Sequence, residues 1–126
     1  MRVIFIVGLA ALAACSKSGA TGPSATPGAL VIKILSTTNG GPGCLTFDPQ
    51  FTTAPFTQQV QWLNTTSDTV SVEQFGSIVT SAAPGQYTPA GTIFSVPGVF
   101  QYGSASCADG GPLDGGYSAQ ITFTNP

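Results

Sequence analysis

Hydrophobic and polar residues alternate in short bursts along most of this chain, with turn-forming residues between the bursts. In the run LVIKIL at 30–35, Ile32 and Ile34 fall on one face, and Val31, Lys33 and Leu35 on the other. That is the signature of a strand, whose successive side chains point to opposite sides. The segment 58–64 likewise puts Val60 and Trp62 on one face, opposite Gln59 and Gln61. Val70 and Val72 alternate with Ser71 and Glu73, and residues 91–96 carry Ile93 and Phe94. Phe100 shares a face with Tyr102, as Ile121 does with Phe123. Between these runs stand NGGPG at 39–43, Pro84-Gly85 and Pro97-Gly98, residues that pre-set or free the backbone for turns. No window keeps the helical period over a useful length. Short strands between frequent turns predict an all-β sandwich or barrel.

The first residues follow another rule. Met1-Arg2 precedes an apolar run over 3–14 that is closed by Cys15. The layout is that of a secretory signal, and the run is shorter than the roughly 20 residues a membrane-spanning helix needs. Leu12-Ala13-Ala14-Cys15 resembles the lipobox of bacterial lipoproteins. The resemblance implies removal of 1–14, acylation of Cys15 (palmitate among the chains) and attachment to an envelope membrane. Ser16, where an aspartate would favour retention at the inner membrane, points to the outer membrane facing the periplasm, or to the cell surface. Residues 15–29 then read as the lipidated cysteine and a Gly/Ser/Pro/Thr/Ala tether, spanning about 20 Å as a flexible coil. Residues 30–126 remain for one β-domain.

Composition narrows the chemistry. Only 6% of the 126 residues are charged and the net charge is −2, so the clustered cations that bind nucleic acid are missing. Ser, Thr, Gln and Asn supply the polar surface instead. There is no histidine, and Met1 is the only methionine. With Cys15 acylated, Cys44 and Cys107 remain, and a leftover pair in a secreted domain reads as a disulfide. Closing that loop would stabilise the fold by about 4 kcal/mol. Two thiolates without histidine do not complete a metal shell.

No catalytic constellation emerges. Ser104-Ala105-Ser106 lacks a base, because only Lys17 and Lys33 could serve and they fall in the tether and on a solvent face. Asp109 and Asp114 could act as paired carboxylates or offer oxygens to a cation, but DGGPLDGG reads first as turn sequence. Asn64-Thr65-Thr66 matches a glycosylation acceptor at a strand end. Trp62 is expected in the core, and Phe51, Phe56 and Phe75 in satellite packing around it.

Four stretches carry a wider resemblance. TFDP at 46–49, VQWLNT at 60–65, PAGTIFS at 89–95 and PGVFQY at 97–102 are similar to the conserved regions of cupredoxins. The resemblance covers roughly 30–123 and implies a Greek-key β-sandwich; an immunoglobulin-like sandwich is the alternative. Copper-binding members need two histidines, a cysteine thiolate and usually a weak axial methionine. Here the first histidine position falls among Asp68, Thr69 and Val70, the cysteine position is Ser104, the second histidine position is Cys107, and the methionine position is Leu113. All four depart from the family. A Cys44–Cys107 bridge would instead staple the loop that copper pins in metal-binding relatives. The expectation is a lipid-anchored, non-catalytic binding or structural module without a cofactor, in contact with the membrane through Cys15 and with an envelope partner. The alternative is a copper-binding electron-transfer protein, opposed by the missing histidine and methionine ligands.

Overall fold

The computed structural model describes residues 23–38, 44–74, 76–105 and 117–126; Cys15, Phe75, Cys107, Asp109, Leu113 and Asp114 lie outside them. The described residues form eight strands and no helix: β1 (Leu30–Thr38), β2 (Leu45–Asp48), β3 (Phe51–Pro55), β4 (Val60–Asn64), β5 (Val70–Gln74), β6 (Ser77–Ala82), β7 (Gly98–Ser104) and β8 (Ala119–Thr124). They make two mixed sheets, ordered β2-β1-β4 and β3-β8-β7-β5-β6. β1 runs parallel to β4, and β3 parallel to β8. The remaining pairs are antiparallel.

The alternation sets the inner faces. Ile32 and Ile34 of β1, Val60 and Trp62 of β4, Val70 and Val72 of β5, Phe100 and Tyr102 of β7, and Ile121 and Phe123 of β8 are buried in one cluster. Lys33 faces solvent, as its position in the period requires. Both sheets share this core, which is the arrangement of a β-sandwich. Tyr102 lies at its centre, edge-on to Phe47 and Trp62 at 4.9 and 5.4 Å and stacked on Phe100 at 5.2 Å. These spacings suit the ring quadrupoles.

Four expectations need correction. Gln61, expected on a solvent face, is fully buried, because residues of the expected tether lie over β4. The Thr26 N–H donates to Gln61 Oε1 at 2.7 Å, and Gln61 Nε2 donates to the carbonyls of Ser24 and Thr88, both at 3.0 Å. A buried amide is tolerated only when so satisfied. Residues 91–96 do not form a strand. Instead, 87–91 runs beside β4 through bridges at Leu63–Tyr87 and Val60–Gly91, while Ile93 and Phe94 pack against the core from a loop. Pro89 interrupts the backbone ladder there. The Thr88 hydroxyl substitutes locally, accepting from the Trp62 N–H at 3.0 Å. Phe51, expected in satellite packing, is 56% exposed on the outer face of β3; Phe56 does pack against the core. Finally, β6 has no counterpart among the expected strands, since most of its side chains point outward. The turn after it was legible. The Gln86 N–H donates to the Ala83 carbonyl at 3.0 Å, with Pro84 and a positive-φ Gly85 (74°) between them, which is type II turn chemistry.

Candidate functional site

The C-terminal ends of β1 and β7, the start of β2 and the β4–β5 connection meet at one end of the two sheets. The β4–β5 connection is built on Asn64. This side chain is fully buried and all its polar capacity is used. Asn64 Nδ2 donates to the carbonyls of Asp68 and Ala82 at 2.7 and 3.0 Å. Asn64 Oδ1 accepts from the Thr66 N–H and hydroxyl at 2.9 and 2.7 Å. An Asn that bonds the backbone two residues on fixes an Asx turn, so Asn64-Thr65-Thr66 is a folded turn whose amide is not free for glycosylation.

This turn places Val70 at the start of β5, buried and paired with Ala82. Ser104 ends β7 in register with Val72 of β5. Its side chain is buried, and its Oγ accepts from the Leu45 N–H at 3.4 Å. That contact joins the five-stranded sheet to the three-stranded one. Beside it Cys44 is buried and disulfide-bonded.

Copper does not fit the two ligand positions that are described. Val70 offers only an aliphatic side chain, already committed to the core. Ser104 offers a hydroxyl held by a backbone N–H, and neither group replaces imidazole or thiolate as a soft donor. The other two positions, Cys107 and Leu113, are outside the described residues. No cluster of three His, Cys, Asp or Glu side chains occurs among the described residues. Nor are the candidate nucleophile and base brought together: Ser104 is buried between the sheets, while Lys33 projects into solvent from β1. Asp109, Asp114 and Ser106 lie outside the described residues, as does the lipidation residue Cys15.

The same end opens into a cleft of about 570 Å³ lined by Ser36, Leu45, Thr66, Asp68, Val70 and Ala105, among others. Its wall combines hydroxyls, one exposed carboxylate and the aliphatic side chains of Leu45, Val70 and Ala105. Such a surface can hold a polar ligand by hydrogen bonds, and the Asp68 carboxylate is the one ionisable group among the residues named. The sequence pointed to Asp68 only as a failed copper position, and to Val70 as that and as a strand residue alternating with Ser71. The signal that could have located the cleft was the Asn64-x-Thr66 turn motif.

Deeper in the core, Trp62 Nε1, Tyr102 Oη and Ser118 Oγ are buried and make no hydrogen bond of good geometry among the described residues. Burial raises the Tyr102 pKa well above the ordinary phenol value, an effect the neighbouring Trp62 indole offsets only in part. No protein-family model and no curated protein matches this chain.

Proposed function

We propose that the chain is a lipid-anchored extracytoplasmic module with a cupredoxin-like fold that binds or supports a partner and carries out no redox or hydrolytic chemistry. The observation that carries this reading is the fate of the ligand positions: Val70 is spent on the core and Ser104 on tying the two sheets together. What supports the cupredoxin-like type is that the stretches bearing the resemblance, β4 and β7, meet across one core, where Trp62 and Tyr102 touch. The parallel pairs β1/β4 and β3/β8 favour it over an immunoglobulin-like sandwich, whose sheets are antiparallel. The cleft beside Thr66 and Asp68 is the contact site. We assign Cys107 as the partner of Cys44, because the Leu45–Ser104 contact brings the chain to within three residues of it.

Copper(II) titration of the full chain tests the reading. The expected result is no stoichiometric metal and no thiolate-to-copper absorption band; a one-to-one complex with that band overturns it. Labelled palmitate fed to expressing cells is expected to enter the wild-type chain and not the Cys15→Ser variant. Equal labelling of both removes the lipid anchor from the proposal.

A further inference from the structure

The two sheets present four edges, and three of them are blunted. β2 is only four residues long and runs into Pro49; β3 follows that proline and ends in Pro55; the 87–91 segment contains Pro89. Proline at an edge removes the N–H that another strand would pair with. β6 is the exception. Ser77–Ala82 holds neither proline nor charge, and no described residue hydrogen-bonds the backbone of 77–81 on its outer side. The register against β5 slips so that Thr80 faces Val72 and Ile78 faces Glu73, leaving Val79 as an extra residue. A bulge of this kind turns adjacent side chains to one side. It accounts for Ile78 and Val79 being exposed together, at 62% and 41%. Bulges ordinarily protect an edge, but this one displays apolar groups where a lysine would repel a second strand.

We propose that this edge pairs with β6 of a second copy of the chain, antiparallel about a two-fold axis, joining the two five-stranded sheets into one. A two-fold places a strand against itself, so the strand must be self-complementary. Ser77–Ala82 meets that condition because it brings no charge opposite its own copy. Its nearest strand neighbour with a charge is Glu73 on β5. Across the dimer the two Glu73 strands stand three strand spacings apart, about 14 Å, beyond the screening length of about 8 Å at physiological salt. Pairing also covers Ile78 and Val79 in both copies. The chain's low overall charge, 6% of residues, adds little long-range repulsion between copies.

Sedimentation of the full chain in detergent, followed across concentration, tests the pairing together with co-isolation of two differently tagged copies from one cell. The expected result is a monomer–dimer equilibrium whose dissociation constant rises at least about tenfold in Ile78→Lys and in Val79→Lys. Val99→Lys, at an exposed position on β7 of the same sheet, is expected to leave it unchanged. Emission from Trp62, the only tryptophan, reports whether each variant is folded. Where a lysine variant is not, Ile78→Thr with Val79→Thr keeps strand propensity and is expected to weaken the dimer as well. A wild-type chain that stays monomeric up to about 1 mM, or a dimer indifferent to both sites, overturns the proposal. So does a β6-dependent complex with a different protein in the absence of self-association.

Discussion

Tyr102 and Asn64 are both fully buried polar residues, and they bear opposite relations to the fold. The Asn64 amide is saturated by the Asp68 and Ala82 carbonyls and by Thr66. Asn64→Ala strands those groups in a buried turn, and at roughly 1–3 kcal/mol for each group left unpaired the variant is expected to lose about 3 kcal/mol in urea unfolding. Among the described residues the Tyr102 hydroxyl makes no hydrogen bond of good geometry, its polar neighbour being the Trp62 indole. Tyr102→Phe is therefore expected to keep wild-type stability at neutral pH or gain up to about 1 kcal/mol. The two chains diverge in alkali. With its pKa raised by burial, folded Tyr102 keeps a proton that the unfolded chain releases above about pH 10. The unfolded state then binds fewer protons than the native one, so stability falls as pH rises, by up to about 1.4 kcal/mol per unit. Tyr102→Phe removes that part of the slope; a variant whose alkaline curve parallels the wild type refutes the assignment. Residues such as Ile32, Ile34 and Trp62 were legible in the sequence because period-two patterning alone assigns their face. Gln61 was not, because its cover comes from Thr26, thirty-five positions away.

At the scale of elements, the central strands were readable and the edges were not. β1, β4, β5, β7 and β8 each bury one face of alternating apolar residues, which leaves a periodic record. β6 buries only Ala82, and its bulge breaks the period, so its sequence resembles a polar loop. Residues 91–96 erred in the other direction. Ile93 and Phe94 are apolar because a loop packs them on the core, and no ladder is involved. That loop makes its own demand on β7. A Cβ on Gly98 would come within 2.9 Å of the Phe94 ring, which is packed edge-on against Phe100 and Phe123 at 6.1 and 5.4 Å. Gly98→Ala is expected to cost about 1–2 kcal/mol through displacement of that ring. Most of the loss should disappear when Phe94→Leu is already present, a coupling that a double-mutant cycle measures directly. Additive losses would mean that the glycine is needed for its backbone alone. Gly85→Ala, by contrast, meets no neighbouring atom and is expected to cost about 1 kcal/mol from its positive φ, with no dependence on Phe94.

The whole molecule poses the question of what holds two sheets together at the end where the core opens into a cleft. Elsewhere the aromatic cluster around Tyr102 spans the interface. At the cleft end the described links include the Leu45–Ser104 and Asn64–Ala82 hydrogen bonds, with the buried, disulfide-bonded Cys44 beside the first. In the proposed Cys44–Cys107 pairing the bridge encloses everything from β2 to β7, so it acts mainly by restricting the unfolded chain. A loop of this size corresponds to about 4 kcal/mol in the chain-entropy account. That mechanism has a consequence that packing alone does not share. Cys44→Ala, Cys107→Ala and the double variant all break the same bond, so each is expected to lose about the same 4 kcal/mol, with the double no worse than the poorer single. Their unfolded states are also more expanded, so the dependence of unfolding free energy on urea should steepen in all three. Unfolding followed by Trp62 fluorescence, with and without reductant, separates the cases. A Cys107→Ala chain as stable as the wild type, or a double variant carrying the sum of two losses, would show that Cys44 is bonded elsewhere and that the cleft end is held by packing around Leu45 and Ser104.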